Sequence, residues 1–141
     1  MKLPLLARRL VFNLFSVIFF LSISYCRGES TPAIFVAEGF LDAHYVRIDL
    51  VSAKKYCHGL ARSRIDEEIR LTEGRQIDSA ADRPRVYYRL LEENVRSPSV
   101  VSLRYRLDLD VGGIGRLEKS VLLTLRGSEG DWYVVNFREF D

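Results

Sequence analysis

One stretch, Val100–Val111, limits what this chain can fold into more than any other. Val101, Leu103, Tyr105, Leu107, Leu109 and Val111 alternate without a break with Ser102, Arg104, Arg106, Asp108 and Asp110. Successive side chains of a strand point to opposite faces, so this pattern puts one face on a core and one in water. That is the signature of an antiparallel sheet covered on one side. The register is also set, because a slip of one residue would turn every apolar side chain into solvent.

The flanking sequence extends the sheet. Gly112, Gly113 and Gly115 turn the chain. Residues 116–126 return with Val121, Leu123 and Leu125 inward. Residues 127–130 (GSEG) turn again, and 132–140 form a last strand with Tyr133, Val135 and Phe137 on the core side. Trp132 should then point away from the core and need cover of its own, given its large apolar area. Residues 85–94 read as a first strand.

Upstream the period is helical. Residues 33–47 read as one helix, with Val36, Phe40, Leu41, Tyr45 and Ile48 giving a broad apolar stripe. Thr31 or Ser30 can cap it, with Pro32 in its first turn. Asp49 is a candidate N-cap for a second, shorter helix running to Cys57, which Gly59 ends. Residues 60–71 read as a third helix with a narrow stripe of Leu60, Ile65, Ile69 and Leu71 and a charged, solvated face. Residues 72–84 are loop-like. Helices first and strands afterwards imply an α+β fold, with N-terminal helices packed on a curved antiparallel sheet of three to four long strands.

The chain opens differently. Lys2, Arg8 and Arg9 precede an apolar run at residues 10–23, the first two parts of an export signal. The run is short for a spanning helix, which needs about 20 apolar residues. Three fates stay open. Cleavage after Ser24 satisfies the small-x-small rule. Ile23-Ser24-Tyr25-Cys26 resembles a bacterial lipobox, apart from the large Tyr25, and would make Cys26 a lipidation site. Retention as an anchor is the third. The division expected is 1–26 targeting segment, 27–32 tether and 33–141 a single domain. The expected location is outside the cytoplasm, in the cell envelope, the periplasm or secreted, with a membrane as partner through the N-terminal segment or a lipid on Cys26.

Charge narrows the partners. The chain has 21 Lys and Arg against 19 Asp and Glu. Lys2, Arg8 and Arg9 belong to the targeting segment, so the remainder carries 18 basic against 19 acidic residues. Net charge gives no support to a nucleic-acid partner. Two cysteines are too few for a disulfide scaffold, although a Cys26–Cys57 bridge would be feasible in an oxidising compartment.

The order of elements, the aromatic-rich FLDAHY segment at residues 40–45, the short helix opening at Asp49, and the closing Gly130-Asp131-Trp132-Tyr133-Val134-Val135 stretch resemble the nuclear-transport-factor-two-like superfamily, an α+β cone also called cystatin-like. The resemblance covers roughly residues 33–141. It implies a pocket between helix one and the concave face of the sheet. It leaves function open, since the superfamily includes isomerases, dehydratases, hydrolases and non-enzymatic modules.

In such a pocket His44 and Tyr45 from helix one, and Tyr88, Tyr105 and Tyr133 from the sheet, are the candidate lining residues. Asp42, His44 and Tyr45 cannot all face it, because residues on an α-helix step by about 100°. His44 could serve as a base only with an orienting partner, and none is legible. Cys57-His58 are adjacent and point apart, so they form no catalytic dyad, and Cys57 reads as a small buried hydrophobe. No residue is singled out as catalytic. No metal-ligand spacing and no cofactor motif is present. Arg104, Arg106, Asp108 and Asp110, with Glu118 and Arg126 across the hairpin, form a charged wet face. It reads as cross-strand ion pairing, and a docking surface or a homodimer through the sheet are the functional readings of the same residues. The function that best fits these features is an exported, membrane-associated, non-enzymatic accessory or binding module. The alternative is a small-molecule binder or enzyme of the isomerase, dehydratase or hydrolase type.

Overall fold

The computed structural model describes residues 31–73, 84–113 and 115–141. The targeting segment, Cys26, and most of the tether and of the loop before the first strand lie outside the described residues. Helix α1 spans Pro32–Leu41, followed by a π-helical turn at Asp42–Val46. Helix α2 spans Leu50–Lys55 and α3 spans Gly59–Thr72. The strands are β1 (Arg85–Ser97), β2 (Val100–Val111), β3 (Gly115–Ser128) and β4 (Asp131–Phe140). They form one antiparallel sheet in the order β1-β2-β3-β4. Among the described residues no helix is long and apolar enough to cross a membrane.

β2 and β3 pair without a register shift from Val100↔Arg126 to Val111↔Gly115. Their inner positions make the core: Leu103, Tyr105, Leu107, Val121, Leu123 and Leu125 are fully buried. The alternation of Val100–Val111 thus sets both faces along the centre of the sheet.

The helices cover that inner face. In α1 the buried side chains are Ala33, Ala37, Phe40 and Leu41. Phe40 and Leu41 belong to the expected stripe, whereas Val36 is only half-buried and the other buried positions are the two alanines. Thr31 caps the helix and Pro32 opens it. The α-helix does not continue to residue 47. At Asp42 it widens into a π turn, closed by Arg47 N–H donating to the Asp42 carbonyl at 2.9 Å. Ile48 follows at φ 55°, a left-handed conformation that is costly for a β-branched residue.

Asp49 caps α2 as expected, its Oδ1 accepting from Ser52 N–H at 2.9 Å. Gly59 does not end that helix. It opens α3 at φ 54°, where only glycine is unstrained. In α3 Ala61 and Ile65 are buried, while Leu60 and Leu71 of the expected stripe are exposed. Residues 56–58, between α2 and α3, run parallel to β4. Val134 N–H donates to the Tyr56 carbonyl and His58 N–H to the Val134 carbonyl, both at 2.9 Å.

β4 departs from simple alternation. Thr124 pairs with Asn136 and Leu125 with Val134, so Val135 is the extra residue of a β-bulge. Before the bulge, Val134 and Trp132 face the core. After it, Phe137 does. This corrects the expectation for this strand: Tyr133 points outward and Trp132 inward, packed half-buried against the core. One inserted residue reverses the parity of everything upstream of it.

Candidate functional site

The five candidate lining residues do not form one site. They fall into two pairs and one outlier. His44 and Tyr45 lie between the π turn, α3 and β4. Tyr88 and Tyr105 lie on the inner face of β1 and β2. Tyr133 is on the opposite face, stacked on His58 with ring centroids 3.6 Å apart.

The first pair owes its arrangement to the π turn. An i,i+4 step through a widened turn places the His44 ring over Phe40, 5.3 Å away and nearly parallel. Tyr45 meets His44 edge-on at 4.4 Å, and Phe137 closes the third side at 5.5 Å. The orienting partner that sequence could not name is Glu68 on α3, whose Oε2 lies 2.6 Å from His44 Nε2. The His44 side chain is 10% exposed. With Nε2 donating to the carboxylate, Nδ1 is left inside the aromatic cage with no partner among the described residues.

Tyr45 donates to Glu139 Oε1 at 2.8 Å, and the other oxygen of Glu139 receives Lys119 Nζ at 3.3 Å. Burial, then the Glu139 carboxylate, pushes the Tyr45 hydroxyl far above its ordinary value, so it stays protonated. Arg64 lies over the Phe137 ring at 5.0 Å and donates to the Phe137 carbonyl. Apart from His44 Nδ1, the polar side-chain groups named here are tied to another chain segment. The set locks α3 and the π turn to the end of β4, and presents no atom to a substrate-sized space.

The second pair is more open at one end. Tyr88 and Tyr105 meet edge-on at 6.1 Å. Tyr105 is fully buried and its hydroxyl has no hydrogen-bond partner among the described residues. Burial raises both phenols above their ordinary value. The Glu38 carboxylate of α1 adds to both, and Asp42 adds to Tyr88. Glu38 had no distinguishing signal in the sequence. Its role follows from facing β1 and β2 one turn before the π turn.

Cys57 is fully buried and its thiol is pushed up to about 12, first by burial and then by the Glu68 carboxylate. At that value the thiol stays protonated at neutral pH and is a poor nucleophile. Among the described residues no cluster of three or more His, Cys, Asp or Glu could hold a metal ion.

The outer face of the sheet carries the charged residues singled out above. Arg106 donates to Glu118 at 2.5 Å, and Arg104 pairs with Glu92 of β1, a partner the hairpin pattern did not give. A groove of about 380 Å³ crosses this face, lined by Glu92, Asn94, Arg96, Ser102, Arg104, Ser120, Leu122 and Phe140.

The comparisons agree with this geometry at the level of fold. No family model matches the sequence, and no curated protein does. Solved structures do. A nuclear-transport-factor-two-like protein of unknown function from Shewanella oneidensis superposes with a TM-score of 0.60 at 10% identity, covering 79% of this chain and 98% of that one. A ketosteroid isomerase-like protein from Erwinia carotovora atroseptica gives 0.56 at 16% identity, covering 80% and 96%. VirB8 from Agrobacterium tumefaciens gives 0.53 at 11% identity, covering 82% and 94%. The chain has the nuclear-transport-factor-two-like α+β cone fold. At these identities the likeness concerns the fold alone.

Proposed function

We propose that this protein is an exported, membrane-associated module that works by binding and not by catalysis. The observation that carries the reading is the filled interior. Where a cone enzyme would hold its substrate, between α1 and the sheet, Phe40, Leu41, Leu103, Tyr105, Leu107 and Leu123 are all fully buried against one another. The groups capable of proton transfer, His44 in its aromatic cage and the partly exposed Glu68, are bonded to each other. Export and membrane attachment rest on the cationic and apolar start of the sequence and on Cys26. Mass spectrometry of the mature N-terminus, with fractionation of the host cell, tests this half. We expect a chain beginning at an acylated Cys26 or at Tyr25, or an uncleaved chain in the membrane fraction. A chain retaining Met1 in the soluble cytoplasmic fraction overturns it.

A second reading, a small-molecule binder or enzyme of the isomerase, dehydratase or hydrolase type, is favoured by one observation: the unpartnered Tyr105 hydroxyl near Glu38 and Tyr88. A ligand that accepted from Tyr105 would satisfy a buried group that otherwise costs stability. Soaking crystals with cyclohexanone, an apolar ring whose carbonyl accepts hydrogen bonds, separates the two. No density between α1 and the sheet is expected, and density against Tyr105 would replace the first reading by the second.

A further inference from the structure

We infer that the outer face of the sheet is a docking surface for an extended, acidic segment of another protein, seated in the groove over Ser102. The inference deepens the binding-module reading and rests on it. Its floor is the first observation. Ser102 lies on the outer face yet is only 4% exposed, and its hydroxyl has no hydrogen-bond partner among the described residues. A buried hydroxyl left unsatisfied is a cost that an incoming polar group would remove once the side chains covering it turn aside. The register places it in a cross-strand row of neutral hydrogen-bonding side chains, Asn94, Ser102, Thr124 and Asn136. Such a row offers both donors and acceptors, which suits the alternating N–H and C=O groups of an extended backbone.

Charge identifies the kind of segment. Around this lane, Arg104, Arg126 and Arg138 of the flanking rows and Arg96, which lines the groove, accompany the single carboxylate of Glu92. The domain as a whole is close to neutral, so this excess is local. Guanidinium groups pair with carboxylates in a two-pronged geometry. Leu122 and the exposed Phe140 line the same groove and offer apolar contact between the charges. The complementary segment carries Asp or Glu on either side of an apolar side chain.

Other occupants fit less well. A second copy laid face to face would bring arginine against arginine, or against the far end of the sheet. Of the carboxylates there, Glu118 is matched by Arg106 and Asp110 by its register neighbours Arg85 and Arg116, which leaves Asp108 alone to receive an arginine of the facing copy. A flat anionic bilayer could touch the arginines but not the Ser102 floor. A nucleic-acid backbone running along the face would meet Asp108, Asp110 and Glu118.

The test is panning a displayed library of random twelve-residue peptides against the full chain in detergent micelles. Enriched peptides should carry Asp or Glu flanking an apolar residue. Their affinity should fall at least tenfold in an Arg96→Glu, Arg138→Glu double variant and stay unchanged in Arg62→Glu on α3, with far-UV circular dichroism confirming that all three proteins are folded. Arg96 and Arg138 are both exposed, so folding should survive their substitution. The proposal is overturned by no enrichment, by enrichment without acidic residues, or by binding indifferent to the double variant. It is also overturned if anionic vesicles or a single-stranded oligonucleotide bind as tightly as the enriched peptides, or if sedimentation finds a dimer that the double variant dissociates. N-terminal processing does not enter this experiment, so its failure is distinguishable from a failure of the export reading.

Discussion

The β2–β3 hairpin and the β4 edge belong to one sheet and face one core, yet they obey different rules. Along β2 and β3 every pair is in register from end to end, and every second side chain is buried over Val101–Leu107 and Val121–Leu125. Along β4 one inserted residue, Val135, breaks the alternation. The helical partner of that edge shows the same kind of irregularity, a π turn at Asp42–Val46 followed by Ile48 at positive φ. The regular half holds the domain together by apolar burial. The irregular half gathers the polar bonds His44–Glu68, Tyr45–Glu139 and Arg64–Phe137. An extra residue in a strand and in a helix turn re-aims side chains that regular geometry would separate.

Single-residue deletions break this comparison most sharply. Deleting Arg104 from β2 shifts half of the strand by one position and turns either Tyr105, Leu107 and Leu109 or Val101 and Leu103 away from the core. No cooperative unfolding transition is expected from that variant. Deleting Val135 removes only the bulge. Val134 stays inward, Asn136 outward and Phe137 inward, in plain alternation. That variant should fold and unfold cooperatively. Denaturant unfolding of both proteins checks the pair, and a folded Arg104 deletion would show that register is not what holds the hairpin.

The same contrast says how much could be read from sequence. The α+β order, the faces of Val100–Val111 and the N-cap at Asp49 were legible because each rests on local chemistry with a short period. The inward faces of Val134 and Trp132 were not, because Val134-Val135 reads equally well in either parity. The end of α1 was missed for a similar reason. Residues 42–46 contain no helix breaker, and the π turn follows from packing His44 and Tyr45 against α3 and β4. Glu68, Glu139 and Glu38 lie 24, 94 and, from Glu38 to Tyr105, 67 positions from the residues they serve. Pairing over such separations is a product of topology, and one sequence does not display it.

Trp132 gives the next largest effect. It is half-buried, packs against the core, and lies so close to Gly127 that an added Cβ there would sit 3.1 Å from the indole. Trp132→Ala should cost about 2–3 kcal/mol, below the range for a fully buried aromatic. Gly127→Ala should also destabilise the protein, and should cost less in the Trp132→Ala background, where the clash is gone. Additive costs in this double-mutant cycle, measured by denaturant midpoints, would place the indole elsewhere.

The smallest expected effect concerns two tyrosines whose hydroxyls meet different surroundings. Tyr45 donates to Glu139, whereas Tyr105 is fully buried with no partner among the described residues. Tyr45→Phe should cost about 1 kcal/mol at pH 7, the net worth of one hydrogen bond. Tyr105→Phe should be neutral or slightly stabilising, because it removes a desolvated group that gains nothing. The pH dependence separates the two kinds of loss. The folded Tyr45 hydroxyl ionises far above its ordinary 10.0, by burial first and the Glu139 carboxylate second. A raised folded pKa contributes stability that is present in full below the unfolded value and declines as pH rises past it. The gap between wild type and Tyr45→Phe should therefore narrow above about pH 10, as the unfolded tyrosine begins to ionise. A gap that is constant to pH 11 would mean that the Tyr45 hydroxyl ionises alike in the folded and unfolded chains, and so is neither buried nor bonded to Glu139 in solution.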